Sequence, residues 1–108
     1  MIAILMSTYN GERYLREQID SLLNQTYKDW KLYIRDDGST DETISIIESY
    51  VNDYPDLIVL LKDDLGNLGS ARSFMRILSV VDADYYMFCD QDDVWLPNKV
   101  KDLSLIHI

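Results

Sequence analysis

Cysteine, histidine and basic residues are scarce in this chain, and each scarcity removes a class of function. Cys89 is the single cysteine among 108 residues, so an internal disulfide and a cysteine-ligated zinc site are both excluded. It sits in the apolar run Tyr85-Tyr86-Met87-Phe88-Cys89, where a packed, inert thiol is expected. Ten Lys and Arg against nineteen Asp and Glu give a net charge of -9, which argues against a surface built for a phosphate backbone and so against nucleic acid as a partner. No apolar stretch reaches the length of a membrane-crossing helix, and Met1 to Met6 lacks a basic leader, so it reads as a strand and not a signal peptide. Together these features point to a cytoplasmic location. Repeats, linkers and low-complexity tracts are also missing. With 47% hydrophobic residues the chain can form one domain with a real core, and it is too short for two.

Four short apolar runs alternate with three segments of helical period. Ile2 to Met6 is the first strand, followed by Leu15, Ile19, Leu22 and Leu23 on one helical face, with Asn10 as N-cap and Glu12 in the first turn. Leu32-Tyr33-Ile34 is the second strand. Ser39 and Glu42 then form a capping-box pattern that opens a helix carrying Ile44, Ile47 and Val51 inward, ending before Pro55. Leu57 to Leu61 is the third strand, Phe74, Ile77, Leu78 and Val81 mark the inner face of a third helix, and Tyr85 to Cys89 is the fourth strand. This order predicts an α/β fold: a Rossmann-like parallel sheet with right-handed crossovers and helices on both faces.

Each strand is followed by polar residues that a plain connector does not need: Ser7-Thr8-Tyr9-Asn10, Asp36-Asp37-Gly38-Ser39, Asp63-Asp64 with Asn67 and Gly69, and Asp90-Gln91-Asp92-Asp93. In open α/β sheets ligands bind at this carboxyl edge. Two carboxylates about 4 Å apart repel by roughly 4 kcal/mol at an effective dielectric near 20, so acids that converge need a cation or bound protons. Oxygen-only ligands favour magnesium or manganese, with open positions for a substrate phosphate. A metal diphosphate is the natural guest. Plainer readings stand beside this one. Ser39, Asp41 and Glu42 can be only a helix start, Asp63-Asp64 a solvated loop, Asn67 and Gly69 a cap and turn, Arg72 a surface salt bridge, and Trp95 a packed indole.

The segments Ser7-Thr8-Tyr9-Asn10-Gly11, Asp36-Asp37-Gly38-Ser39-Thr40-Asp41, Gly66-Asn67-Leu68-Gly69 and Asp90 to Pro97 resemble the successive motifs of family 2 glycosyltransferases with the GT-A fold, over nearly all of Ile2 to Lys101. The resemblance implies a donor nucleotide site of Ser7, Thr8, Tyr9, Asn10, Asp36, Asp37, Asn67, Arg72 and Asp90. In it the Tyr9 ring lies near the base, Asp37 accepts the pyrimidine N3-H, and Asp36 supports the pocket. It implies that Asp90 and Asp92 form a DxD motif: Asp92 contacts a divalent cation, magnesium or manganese, and Asp90 the ribose or the metal. The implied donor is a UDP- or dTDP-sugar. The loop after Asp90 looks most like transferases of bacterial surface polysaccharides, notably rhamnosyltransferase-like members, with a glycan or lipid-linked acceptor. For the full-length protein this allows a peripheral seat on the inner face of the plasma membrane.

The chain departs from the family at its end. The half that carries the acceptor site and the general base is absent, so residues 1–102 are expected to be an incomplete donor-binding part that binds donor poorly and transfers nothing. Leu103 to Ile108 equal the translation of a common transposon-based sequencing adapter, and residues 103–108 are expected to be an artefactual tail in which His107 has no catalytic role. Two other functions stay open. Asp90-Gln91-Asp92-Asp93-Val94 also fits the strand-end motif of haloacid-dehalogenase-type phosphatases, with Asp90 as nucleophile. A nucleotide-binding module without chemistry is the other. A calcium loop of the EF-hand type does not fit the spacing of either acidic cluster.

Overall fold

The computed structural model describes residues 1–89. Strands β1 (Ile2–Thr8), β2 (Trp30–Asp36), β3 (Ile58–Leu61) and β4 (Tyr85–Cys89) alternate with helices α1 (Leu15–Leu23), α2 (Thr43–Asp53) and α3 (Ser70–Val80). All strand pairs are parallel, in the order β3-β2-β1-β4. The chain therefore steps outward from β1 to β3 and returns across β1 to place β4. Right-handed crossovers put helices on opposite faces when the direction of travel reverses, which is why α1 and α2 share one face and α3 takes the other.

The period of two along β1 divides the core accordingly. Ile2, Ile4 and Met6 pack with Leu15, Ile19, Leu22, Ile46 and Ile47, while Ala3 and Leu5 pack with Phe74, Ile77 and Val81. Every residue of β1 is buried, as expected for a strand covered on both faces. The same alternation governs the polar ends: Ser7 falls on the α3 face and sits in register beside Arg35 of β2.

Two helix starts differ from expectation. Asn10 is not an N-cap; α1 begins at Leu15, after a turn in which the Gly11 carbonyl accepts from the Tyr14 and Leu15 N–H groups. Asn10 instead adopts a left-handed backbone (φ 48°) and its side chain accepts from Thr40 N. Nor do Ser39 and Glu42 form a capping box. Glu42 occupies the cap position of α2 without a side-chain cap bond, and Asp41 takes the role by accepting from the Thr43 N–H and hydroxyl. With the helix starting three or four residues later than a Ser39 cap implies, Ile46 joins Ile47 inside and Ile44 faces out, 38% exposed. β1 and β2 are also longer than their apolar runs, because polar residues at their carboxyl ends stay in the ladder through Thr8 and Asp36.

Candidate functional site

The reversal of strand order puts a topological switch point at the carboxyl end of β1, the edge at which open α/β sheets bind ligands. A cavity of about 300 Å³ lies there. Ser7, Thr8 and Tyr9 line it from β1, Asp37 from the end of β2, Asn67, Gly69 and Ser70 from the β3–α3 connection, and Phe74 from α3. Tyr9 is 47% exposed at its edge, whereas Asp37 is only 3% exposed.

Asp37 is held in place from several sides. Its N–H donates to the Thr8 carbonyl (2.8 Å), extending the β1–β2 ladder by one bond. Its Oδ1 accepts from Arg35 Nη1 (2.6 Å) and Leu68 N (2.8 Å), and its Oδ2 accepts from Gly69 N (2.9 Å). The chain between Asp63 and α3 is thus anchored on this carboxylate. Gly69 can present its N–H here because its φ of 84° is open to glycine at no steric cost.

Arg35 is the residue that the sequence reading missed. It is 2% exposed, yet it lies in a strand that is otherwise apolar inward. Its guanidinium grips Asp63 through two bonds (Nε to Oδ2, 3.0 Å; Nη2 to Oδ1, 3.1 Å), and donates to Asp37, to Ser73 Oγ (3.0 Å) and to the Gly66 carbonyl (2.8 Å). Ser73 Oγ also accepts from Ser7 Oγ (2.7 Å). A chain of polar contacts therefore runs from the cavity wall at Ser7 to both carboxylates. The hydrogen bonds to Asp63 hold the guanidinium pKa above its ordinary value, and the same bonds hold Asp63 below the usual carboxylate range. Asp63 lies in an exposed loop, as the plainer reading has it, but its side chain is only 13% exposed and is ion-paired. The available signal was a charge following Leu32-Tyr33-Ile34 in a doubly covered strand, which must find a partner.

Asp36, adjacent in sequence, points away from the cavity. Its carboxylate accepts from Thr8 Oγ1 (2.8 Å), Ser39 Oγ (2.6 Å), Ser39 N (2.8 Å) and Gly38 N (3.2 Å), so it closes its own turn onto β1. Asn10 also lies off the cavity, with its N–H donating to Ser39 Oγ (2.8 Å). Arg72 is exposed on the first turn of α3 and is not part of the lining. Asp90 and Asp92 lie outside the described residues. Among the described residues no group of three His, Cys, Asp or Glu is placed to hold a metal, and the bonds above explain this: Asp36, Asp37 and Asp63 are committed to protein donors.

Comparison with known proteins gives one consistent answer. The model of the family "Glycosyl transferase family 2" matches residues 3–104. The chain is 39% identical over 99 residues to the dTDP-rhamnosyl transferase RfbG of Shigella flexneri, covering 89% of this chain and 34% of that protein. It is 38% identical over 100 residues to the putative glycosyltransferase EpsE of Bacillus subtilis, covering 93% and 36%. The chain thus spans about a third of the length of these curated relatives. Its fold matches S. aureus TarS 1-349, solved in complex with UDP-GlcNAc, with a TM-score of 0.85 and 25% identity over 96% of this chain and 30% of that one. The parallel α/β sheet is that of GT-A glycosyltransferases.

Proposed function

Since the chain belongs to glycosyl transferase family 2, we propose that residues 1–102 form the donor-binding part of a transferase that takes a UDP- or dTDP-sugar and extends a bacterial surface polysaccharide or related glycan. The observation that carries this is the cavity at the end of β1 with a buried carboxylate, Asp37, in its wall. The Oδ2 atom of Asp37 accepts one bond and keeps a lone pair for an N–H of the ligand. Uracil and thymine present the same N3-H, which accounts for a UDP-sugar with TarS and a dTDP-sugar with RfbG under one recognition scheme. Ser7, Thr8 and Asn67 supply polar contacts along the cavity and Tyr9 a ring at its edge. Asn10 and Asp36 act one step back, by shaping the turns that hold Thr8 and Asp37.

A divalent cation, magnesium or manganese, fits the remaining acids. With Asp36, Asp37 and Asp63 engaged by protein donors, Asp90 and Asp92 are the residues that would hold it. When bound, such an ion neutralises the charge that develops on the leaving diphosphate. The phosphatase alternative needs its motif after the first strand of the domain, whereas Asp90 follows β4. A binding module without chemistry is separated from a transferase by turnover.

The test is a transfer assay on the full-length protein with UDP- and dTDP-sugars. Sugar transfer that needs magnesium or manganese and falls at least a hundredfold in Asp92→Ala supports the reading. Donor binding without turnover favours the binding module, and no binding of any pyrimidine nucleotide contradicts it.

A further inference from the structure

We propose that Arg35 is a positioning residue that fixes donor-base specificity, by limiting Asp37 to a single acceptor site on the cavity side; this rests on the nucleotide reading of that cavity. Arg35 reaches the cavity only through other groups. Its Nη1 bond to Asp37 Oδ1 (2.6 Å), with the Leu68 N–H on the same oxygen (2.8 Å), uses both lone pairs of that atom. Gly69 N takes one of the two on Oδ2. What is left is one acceptor on a carboxylate that has no proton to give, because an ionised carboxylate only accepts. A base with an N–H at that point is bound, and one with a ring-nitrogen acceptor there meets a repulsive pair. Cytosine is such a base.

The arrangement depends on the guanidinium's shape as well as its charge. Arg35 bridges Asp37 and Asp63 and also reaches Ser73 Oγ and the Gly66 carbonyl, four partners that a lysine ammonium with three donors on one nitrogen cannot span. Without the bridge, Asp37 loses its strongest donor and shares a poorly solvated site with Asp63. The Asp37 carboxylate is then no longer held with Oδ2 towards the cavity, so uracil loses its acceptor and the cytosine ring nitrogen loses its repulsive pair. The loop holding Asn67 also loses its tie at Gly66, which would weaken all nucleotides alike.

These two consequences are separable. Affinities of the full-length protein for uridine diphosphate and cytidine diphosphate, taken as a ratio, respond to base recognition, whereas loosened structure or a smaller folded fraction lowers both together. For Arg35→Lys the uridine-over-cytidine preference should fall at least tenfold from that of the unaltered protein, and Arg35→Gln should lose it further. Asp63→Asn, which spares the Arg35–Asp37 bond, should keep the preference within about threefold. An equal loss for both nucleotides in the Arg35 variants, complete loss included, would overturn the proposal. So would failure of both variants to fold by circular dichroism, since Arg35 would then act on stability alone. If the unaltered protein binds neither nucleotide, the nucleotide reading itself fails; if it prefers uridine and the Arg35 variants do too, only the role of Arg35 does.

Discussion

Two loop systems frame the cavity, and they are held by different forces. The β1–α1 and β2–α2 connections are laced to each other by amides, hydroxyls and one carboxylate: Asn10 N to Ser39 Oγ, Thr40 N to Asn10 Oδ1, Gly11 N to Thr43 Oγ1 and Glu12 N to Asp41. The β3–α3 connection hangs instead on a buried cation and two carboxylates. Many modest bonds tolerate the loss of one. A buried charge cluster does not, because each member removed leaves another uncompensated. Asp37, proposed to read the base, belongs to the second system, and on that proposal specificity is coupled to the part of the site that is most easily broken.

The largest contrast should come from deleting the cation. Arg35→Met is expected to destabilise the protein by about 3–5 kcal/mol, the usual cost of breaking a buried pair, measured by urea unfolding. Asp37→Asn tests the ligand side of the same cluster. Loss of a charged hydrogen-bond acceptor should weaken uridine diphosphate binding about 10- to 100-fold by calorimetry. In the laced system, Thr43→Val removes the buried acceptor for the Gly11 N–H and should cost only about 1–2 kcal/mol. Gly38→Ala sits between the systems: its φ is 94°, and an added Cβ would stand 3.7 Å from that of Asn67. The space is adequate but the conformation is not, so a loss of about 1 kcal/mol is expected.

Acid distinguishes the systems without truncating a side chain. Asp63 is held below the ordinary value of 3.8 by Arg35, so its pairing stabilises the fold fully above that value and is lost as pH falls through the lowered one. The urea midpoint should drop between about pH 5 and pH 2, and Asp63→Asn should lose less stability than the unaltered protein over that range. A pH dependence identical in both proteins would dismiss the Arg35–Asp63 pair as a stabilising contact.

Element type and order were legible in the sequence because β1 and α3 carry clear periods: the run Ile2 to Met6, and Phe74, Ile77 and Val81 on one face. The helix starts were not. Asn10, Ser39 and Asp41 all suit a cap, and which one caps is decided by contacts across some thirty residues, as with Asn10 Oδ1 and Thr40 N. Local pattern has no access to such pairing. The carboxyl rim was legible as a place, but not in its division of labour. Asp36 and Asp37 read alike in sequence, yet strand alternation turns Asp36 into its own turn and Asp37 into the cavity wall. The role of Arg35 was not legible because two of its partners, Asp63 and Ser73, lie 28 and 38 residues along the chain.

On the proposed reading, the cavity at the end of β1 receives a pyrimidine nucleotide through Asp37. Amide chemical-shift mapping of the full-length protein titrated with uridine diphosphate tests it most directly. Shifts are expected at Thr8, Tyr9, Asp37 and Asn67 to Ser70, and in Asp37→Asn the same shifts should need about 10- to 100-fold more nucleotide. Shifts centred instead on the separate cavity beside β3, at Val51, Val59 and Lys62, or a full response in Asp37→Asn at unchanged nucleotide concentration, would contradict it.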